Sequence, residues 1–275
     1  MATVQTLSLR QLGRATLARQ MLLGREEAGV VATVSRLAGL QAQLARPPFI
    51  GLWSRVLGFR REDLAGPLVR RELVRATMMR GTLHVVSARD YLELRPVLQP
   101  LLTKAVASVL RERARDLDIE GLLSAARDYL AGEPRTFEEI RDHLTSLGLP
   151  GEERARGFAV RCHLPLVQVP EGGDWAYPAT ARFTLAEGWL GQPVATASDD
   201  ARGLVRRYLA AFGPASVVDA QTWSGMAGLR GVFEELRPEL VTFRDERGRE
   251  LFDLPGAPLP AEDLSLIHIS QGIVR

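Results

Sequence analysis

Tyr129–Leu144 reads YLAGEPRTFEEIRDHL, and Tyr208–Trp223 reads YLAAFGPASVVDAQTW. The two stretches follow one plan. Each opens at the end of an amphipathic helix, predicted over Leu122–Leu130 and Ala201–Ala210, that closes in Tyr-Leu-Ala. Each then has a Gly/Pro turn and a hydroxyl residue followed three positions later by an acid: Thr136 with Glu139, Ser216 with Asp219. That pair marks a helix start, because hydroxyl and carboxylate take up backbone N–H groups that lack a partner inside the helix. A third helix is predicted in each, Glu152–His163 and Ala227–Leu236. Next come two β-rich runs around a charged turn, LVQVP–EGGD–WAYPA (166–179) and LVTFR–DERG–RELFDL (240–254). Alternating apolar residues around a Gly-containing turn predict a hairpin.

Helix–helix–helix–hairpin is the winged-helix pattern, a relative of the helix-turn-helix. The N-terminal part fits the same order. Ser8–Leu22 is predicted helical, with Leu9, Leu12, Leu17 and Met21 near one face. Val30–Gln41 and Arg61–Leu73 are predicted as the second and third helices. VRATMMR–GT–LHVVS (74–87) then predicts a hairpin with Gly81-Thr82 at its turn, and Asp90–Leu98 and Leu101–Arg113 predict connecting helices. The expected fold is therefore mainly α with small β wings, an α+β chain of tandem winged-helix repeats. The expected units are 1–115, 116–195 and 196–260, with a tail at 261–275. Repetition speaks to architecture and leaves function open, since winged helices bind protein as well as DNA.

The chain has 275 residues, 46% hydrophobic and 25% charged, the balance of a folded protein rather than a disordered one. No apolar run approaches the ~20 residues of a bilayer span, and no secretory signal is visible at the start. The single cysteine, Cys162, excludes an internal disulfide framework and a cysteine-rich zinc site, and suits a reducing cytoplasm. The net charge of +2 hides an asymmetry: residues 1–115 carry 19 basic and 8 acidic side chains, whereas 116–275 carry 16 and 25. A basic half beside an acidic half points to a polyanionic partner, or else to a solvated basic surface. Of the 35 basic residues all but Lys104 are arginine, along the acidic part as well, so a GC-rich coding sequence explains the skew as well as nucleic-acid binding does.

Several chemistries lack their motif. There is no GxxxxGK[ST] or GxGxxG loop, no GxSxG elbow and no HExxH. Cys162-His163 has no further residue at ligand spacing and reads as a helix end packing into the core, so no metal and no cofactor are expected. His143 reads as an exposed polar residue, Trp53 as core, and Glu138-Glu139 and Glu152-Glu153 as capping or solvated pairs.

GLQAQLARPPFIGLW (39–53) stands apart. Gln41 and Gln43 flank an alanine at the end of an apolar helix, just before Pro47-Pro48. On a helix, residues two apart do not share a face; in an extended stretch they point the same way. Pro47 biases Arg46 toward an extended conformation. Spacing alone leaves two readings open, a pair capping the helix end or a buried turn, and a pair presented together.

GLQAQ, followed by an aromatic and apolar run and then by Met79-Arg80-Gly81-Thr82-Leu83-His84, resembles the AlkZ/YcaQ-type winged-helix DNA glycosylases. The resemblance runs to about Pro260 and includes the Tyr-Leu-Ala helix and the LFDLP segment. It implies tandem winged helices closed by a C-terminal β-rich part, and a monofunctional glycosylase that excises N-alkylated purines. Gln41-Ala42-Gln43 resembles the Gln-x-Gln branch, which acts on interstrand crosslinks, rather than the Gln-x-Asp branch. The implied catalytic residues are Gln41 and Gln43. The implied DNA contacts are Arg80, Thr82 and His84 on the first hairpin, whose alternative is an ordinary exposed wing, and Arg46 by position. The implied partner is alkylated or crosslinked double-stranded DNA, met by a monomer in the cytoplasm at the nucleoid, with no membrane.

The chemistry suits the residues. N-glycosidic hydrolysis passes through an oxocarbenium-like transition state. A base alkylated at N7 or N3 already carries positive charge and leaves without a strong general acid. What remains is to place a water and favour the sugar cation, and two amides act by placement, each accepting at its carbonyl and donating from its NH₂. With no carboxylate at the second position, a preference for cationic over neutral lesions is expected. The competing reading is a non-catalytic DNA-binding regulator, which would protect a specific undamaged sequence. Finally, Leu264–Ser270 reads as foreign to the fold, so the native sequence is expected to stop near Asp263 with the β-rich part missing.

Overall fold

The computed structural model describes residues Val4–Leu264; Ser265–Arg275, which hold most of the suspected foreign tail, lie outside the described residues. The chain is mainly helical with two small sheets, in which α and β elements mix. It divides into two compact units: one comprises Met1–Leu40, Phe49–Arg60 and Asp200–Arg275, the other Gln41–Pro48 and Arg61–Asp199. The expected boundaries at 115/116 and 195/196 do not coincide with these units. No helix among the described residues is long and apolar enough to cross a membrane.

In the first unit, Ser8 caps the Leu9–Arg19 helix, its hydroxyl accepting from the Gln11 N–H at 3.2 Å while the Gln11 side chain accepts from the Ser8 N–H at 3.0 Å. The predicted repeat around Tyr208 is present as Arg202–Phe212, Val217–Ser224 and Arg230–Leu236. Ser216 and Asp219 form the expected reciprocal cap. The predicted hairpin is Val241–Asp245 against Glu250–Asp253, and Thr6–Leu7 adds a third, parallel strand that the sequence did not announce. A buried ion pair ties this hairpin to the first helix: Arg19 Nη1 and Nη2 donate to the two Asp253 carboxylate oxygens at 2.6 and 2.7 Å. Gly213 makes room for it, because a Cβ there would sit 2.7 Å from the Leu209 carbonyl oxygen and 2.8 Å from both Arg19 Nη1 and Asp253 Oδ1.

In the second unit, the predicted repeat around Tyr129 is present as Ile119–Gly132, Phe137–Ser146 and Glu153–His163. Leu122, Ala126 and Leu130 of the first helix meet Ile140, Leu144 and Val160 of the next two, all at most 2% exposed. Thr136 and Glu139 form the expected reciprocal cap. The sheet is five-stranded, in the order Leu40–Gln41, Leu83–Ser87, Leu73–Thr77, Leu166–Gln168, Phe183–Leu185.

Four expectations change here. The hairpin of residues 74–87 is no free wing: Leu73–Thr77 pairs with Leu83–Ser87 on one side and with Leu166–Gln168 on the other, and both of its strands are buried throughout. The predicted helix Arg61–Leu73 ends at Val69, and Leu73 opens a strand. WAYPA is not the partner of Leu166–Gln168; Ala176 is left-handed at φ +63°, which breaks an extended run, and the partner is Phe183–Leu185. The two predicted connecting helices are one, Ala88–Leu110, running through Pro96 and Pro100. Pro100 lacks the N–H that would bond the Pro96 carbonyl, and the Ser198 N–H takes that carbonyl instead at 3.1 Å.

Candidate active site

The predicted helix over Val30–Gln41 stops at Arg36, because Ala38 and Gly39 turn left-handed at φ +55° and +93°. Gln41 is thereby released into a strand, Leu40–Gln41, and Pro47 opens the next helix, Pro47–Trp53. Between them the chain leaves the strand at Gln41 and bends over residues 43–46. Ala42 is fully buried and its N–H donates to the Leu83 carbonyl at 2.7 Å, while Gln41 and Gln43 on either side are exposed. Gln41 and Gln43 thus both meet solvent on either side of buried Ala42.

Both amides touch the hairpin. Gln43 Oε1 accepts from the Leu83 N–H at 3.4 Å, and Gln41 Oε1 accepts from Arg80 Nη2 at 3.5 Å. The partners are donors, so each glutamine meets the hairpin through its carbonyl oxygen. The hairpin tip is a short 3-10 turn, Met79–Gly81, with Arg80 left-handed at φ +56° and Gly81 at +69°. Thr82 Oγ1 donates to the Met79 carbonyl at 3.1 Å and steadies this tip. Arg80 is exposed and Thr82 half-buried.

His84 differs from its neighbours in the expected DNA-contacting set. It is 3% exposed, and burial pushes its imidazole down from 6.5 to about 4, with the nearby Arg80 charge lowering it further. It is therefore neutral near pH 7, and Nδ1 carries the hydrogen because it lies 3.0 Å from the Thr82 carbonyl. His84, expected as a DNA contact, is thus a neutral ring that braces the backbone behind the tip.

Three residues that the sequence reading passed over surround the motif. Arg75, in the middle of Leu73–Thr77 and 5% exposed, donates from Nε to the Ala42 carbonyl at 2.9 Å and from Nη2 to the Gln43 carbonyl at 3.2 Å. Its guanidinium lies 4.9 Å from the centre of the Tyr177 ring. Burial lowers the Arg75 guanidinium below its ordinary value and raises the Tyr177 hydroxyl above its own. Trp175 receives two cations on its ring, Arg46 at 5.5 Å and Arg61 at 5.2 Å, and Arg61 also meets Asp174 at 3.2 Å. Arg46 is exposed, with its guanidinium over the ring. The one sequence cue was an arginine between apolar residues in LVRAT, which needs a partner if that run is buried.

Elsewhere, Trp53 is not core: it is 48% exposed, with the Arg25 guanidinium 4.1 Å over its ring. His143 is half-buried and stacked on Tyr129 at 4.0 Å rather than freely exposed. Cys162 is buried as expected, which pushes its thiol up to about 11. No group of three metal-ligating side chains is found among the described residues.

Comparison with known proteins places this mainly helical α+β chain in a class, the DNA glycosylases. The profile described as DNA glycosylase AlkZ-like matches residues 34–267, and the chain belongs to this family. Among solved structures the chain is similar to the Streptomyces sahachiroi DNA glycosylase AlkZ, with a TM-score of 0.75 and 21% identity over 91% of this chain and 71% of that one. At that identity the likeness speaks for the fold. No curated protein sequence matches the chain.

Proposed function

We propose that this DNA glycosylase hydrolyses the N-glycosidic bond of cationic N-alkylated purines in duplex DNA, with Gln41 and Gln43 as its catalytic pair. The observation that carries the reading is that both glutamines are exposed and each meets the same hairpin through its amide oxygen. Two neutral amides supply no strong acid and no amine nucleophile. They suit a leaving group that is already cationic, a water as nucleophile and an abasic site as product. Crosslinks built on alkylated purines fall in the same chemical class, in keeping with the Gln-x-Gln branch.

Arg80 at the tip and Arg46 on Trp175 supply phosphate contacts, with Thr82 fixing the tip and neutral His84 supporting it from behind. The protein works as a monomer on chromosomal DNA in the cytoplasm and needs no cofactor. The test is release of 7-methylguanine from alkylated duplex DNA beside release of uracil from a matched duplex. Release of the cationic base with the uracil strand intact, and alkali-dependent breakage at the resulting abasic site, is expected. Equal release of both bases, or of neither, counts against it.

A further inference from the structure

We infer that Arg75 is the positioning residue of the paired glutamines, acting through the backbone that joins them. The effect on rate rests on the function proposed above; the positioning itself rests on geometry alone. Arg75 sits opposite Val85 on one side and Gln168 on the other, so its own backbone is fixed by strands on both edges. From that anchor one planar guanidinium spans two successive carbonyls, those of Ala42 and Gln43. Its rigid fork sets the orientation of both peptide groups at once, which a lysine with a single point charge does not.

The manner of its burial points the same way. Arg75 is 5% exposed and pairs with no carboxylate among the described residues; Arg95 and Arg156 are buried on carbonyls in the same way, and what sets Arg75 apart is that its acceptors belong to the glutamine segment. Its contacts are the two carbonyls of the glutamine segment and the Tyr177 ring. Neutral carbonyls and a ring repay the desolvation of a guanidinium poorly, so the arrangement is a weak device for stability and a good one for geometry. The geometry matters because Gln43 stands in a bend just past buried Ala42: a small rotation about Gln43 carries its amide away from Gln41. Misplacement by about 1 Å costs on the order of 100-fold in rate.

The test uses the full chain with Arg75→Lys and Arg75→Ala. Amide hydrogen exchange without DNA reads the positioning directly. Exchange across residues 41–46 is expected to rise at least about tenfold in Arg75→Ala, with the Arg202–Phe212 helix unchanged. Single-turnover release of 7-methylguanine reads the consequence: Arg75→Lys is expected to slow the chemical step by about 30–100-fold and move half-saturation by DNA by less than about threefold. Ethylguanidinium is expected to restore part of the rate of Arg75→Ala. The inference is overturned if exchange at 41–46 is unchanged in Arg75→Ala, if it rises throughout the chain in both variants, or if Arg75→Lys releases base at the parent rate. If the parent protein releases no base at all, the function proposed above fails while the exchange measurement still decides the positioning.

Discussion

Among the five buried arginines of the described residues, Arg19 and Arg75, one in each unit, make the sharpest contrast. Arg19 is 1% exposed and meets Asp253, itself nearly buried, through two parallel hydrogen bonds, with a third to the Leu209 carbonyl. Arg75 is 5% exposed and meets only carbonyls and a ring. The first carries its counter-charge with it and joins a helix to a hairpin within its own unit. The second leaves its charge unmatched and holds the backbone between two exposed glutamines. Equal burial of the same side chain thus serves different ends, and what separates them is the chemistry of the acceptors. The acceptors of Arg19 tie a helix to a hairpin, whereas those of Arg75 lie in the segment that carries the two glutamines.

The largest effect that sharpens this contrast is on stability. Asp253→Ala leaves Arg19 buried without its counter-ion and is expected to cost about 3–5 kcal/mol in denaturant unfolding, while base release below the new transition stays near the parent rate. A release rate that collapses with the fold intact would erase the distinction between the units. The next effect is on pH. His84 is held neutral, so its contribution is fully present above 6.5 and is lost as pH falls through its folded value of about 4. Between pH 7 and 4 the parent chain is expected to lose roughly 3 kcal/mol more than His84→Gln, because the imidazole is 3% exposed and little screened. Parallel pH profiles would contradict a buried neutral ring.

Smaller effects belong to the surface. Arg80→Ala is expected to weaken DNA binding by about tenfold or less and lower the slope of affinity against salt by about one, as loss of one phosphate contact does. An unchanged slope would remove Arg80 from the interface. Smallest is Trp53→Ala, expected to cost about 1 kcal/mol or less, since the ring is half exposed and its cation contact with Arg25 is shared with solvent. A loss of several kcal/mol would restore Trp53 to the core role that its composition suggested.

Local signals were legible. The Thr136–Glu139 and Ser216–Asp219 pairs stand at helix starts because capping is chemistry over four residues. The hairpin at 241–253 follows from alternation around a Gly turn. The glutamine pair was visible as two open readings, and the left-handed turn at Ala38-Gly39, which no period reveals, puts it past the helix end.

What escaped depends on distant partners. LVRAT and LHVVS read as an exposed wing, yet a third strand from residues 166–168 covers the edge and buries both runs, which also neutralises His84. Pro96 and Pro100 predict a helix break, and only the Ser198 N–H, about a hundred residues on, lets the helix run through. Arg75 reaches carbonyls 32 and 33 residues away, and a backbone acceptor leaves no mark in sequence.

The central claim is that Gln41 and Gln43 perform the chemistry. It is tested most directly by single-turnover release of 7-methylguanine from one duplex by the parent protein and by Gln41→Ala/Gln43→Ala, with DNA affinity measured alongside. The expected result is a loss of at least about 100-fold in rate with affinity within about threefold, the pattern of groups that act in the transition state. Release by the double variant at the parent rate would contradict the claim and move the active site elsewhere on the chain.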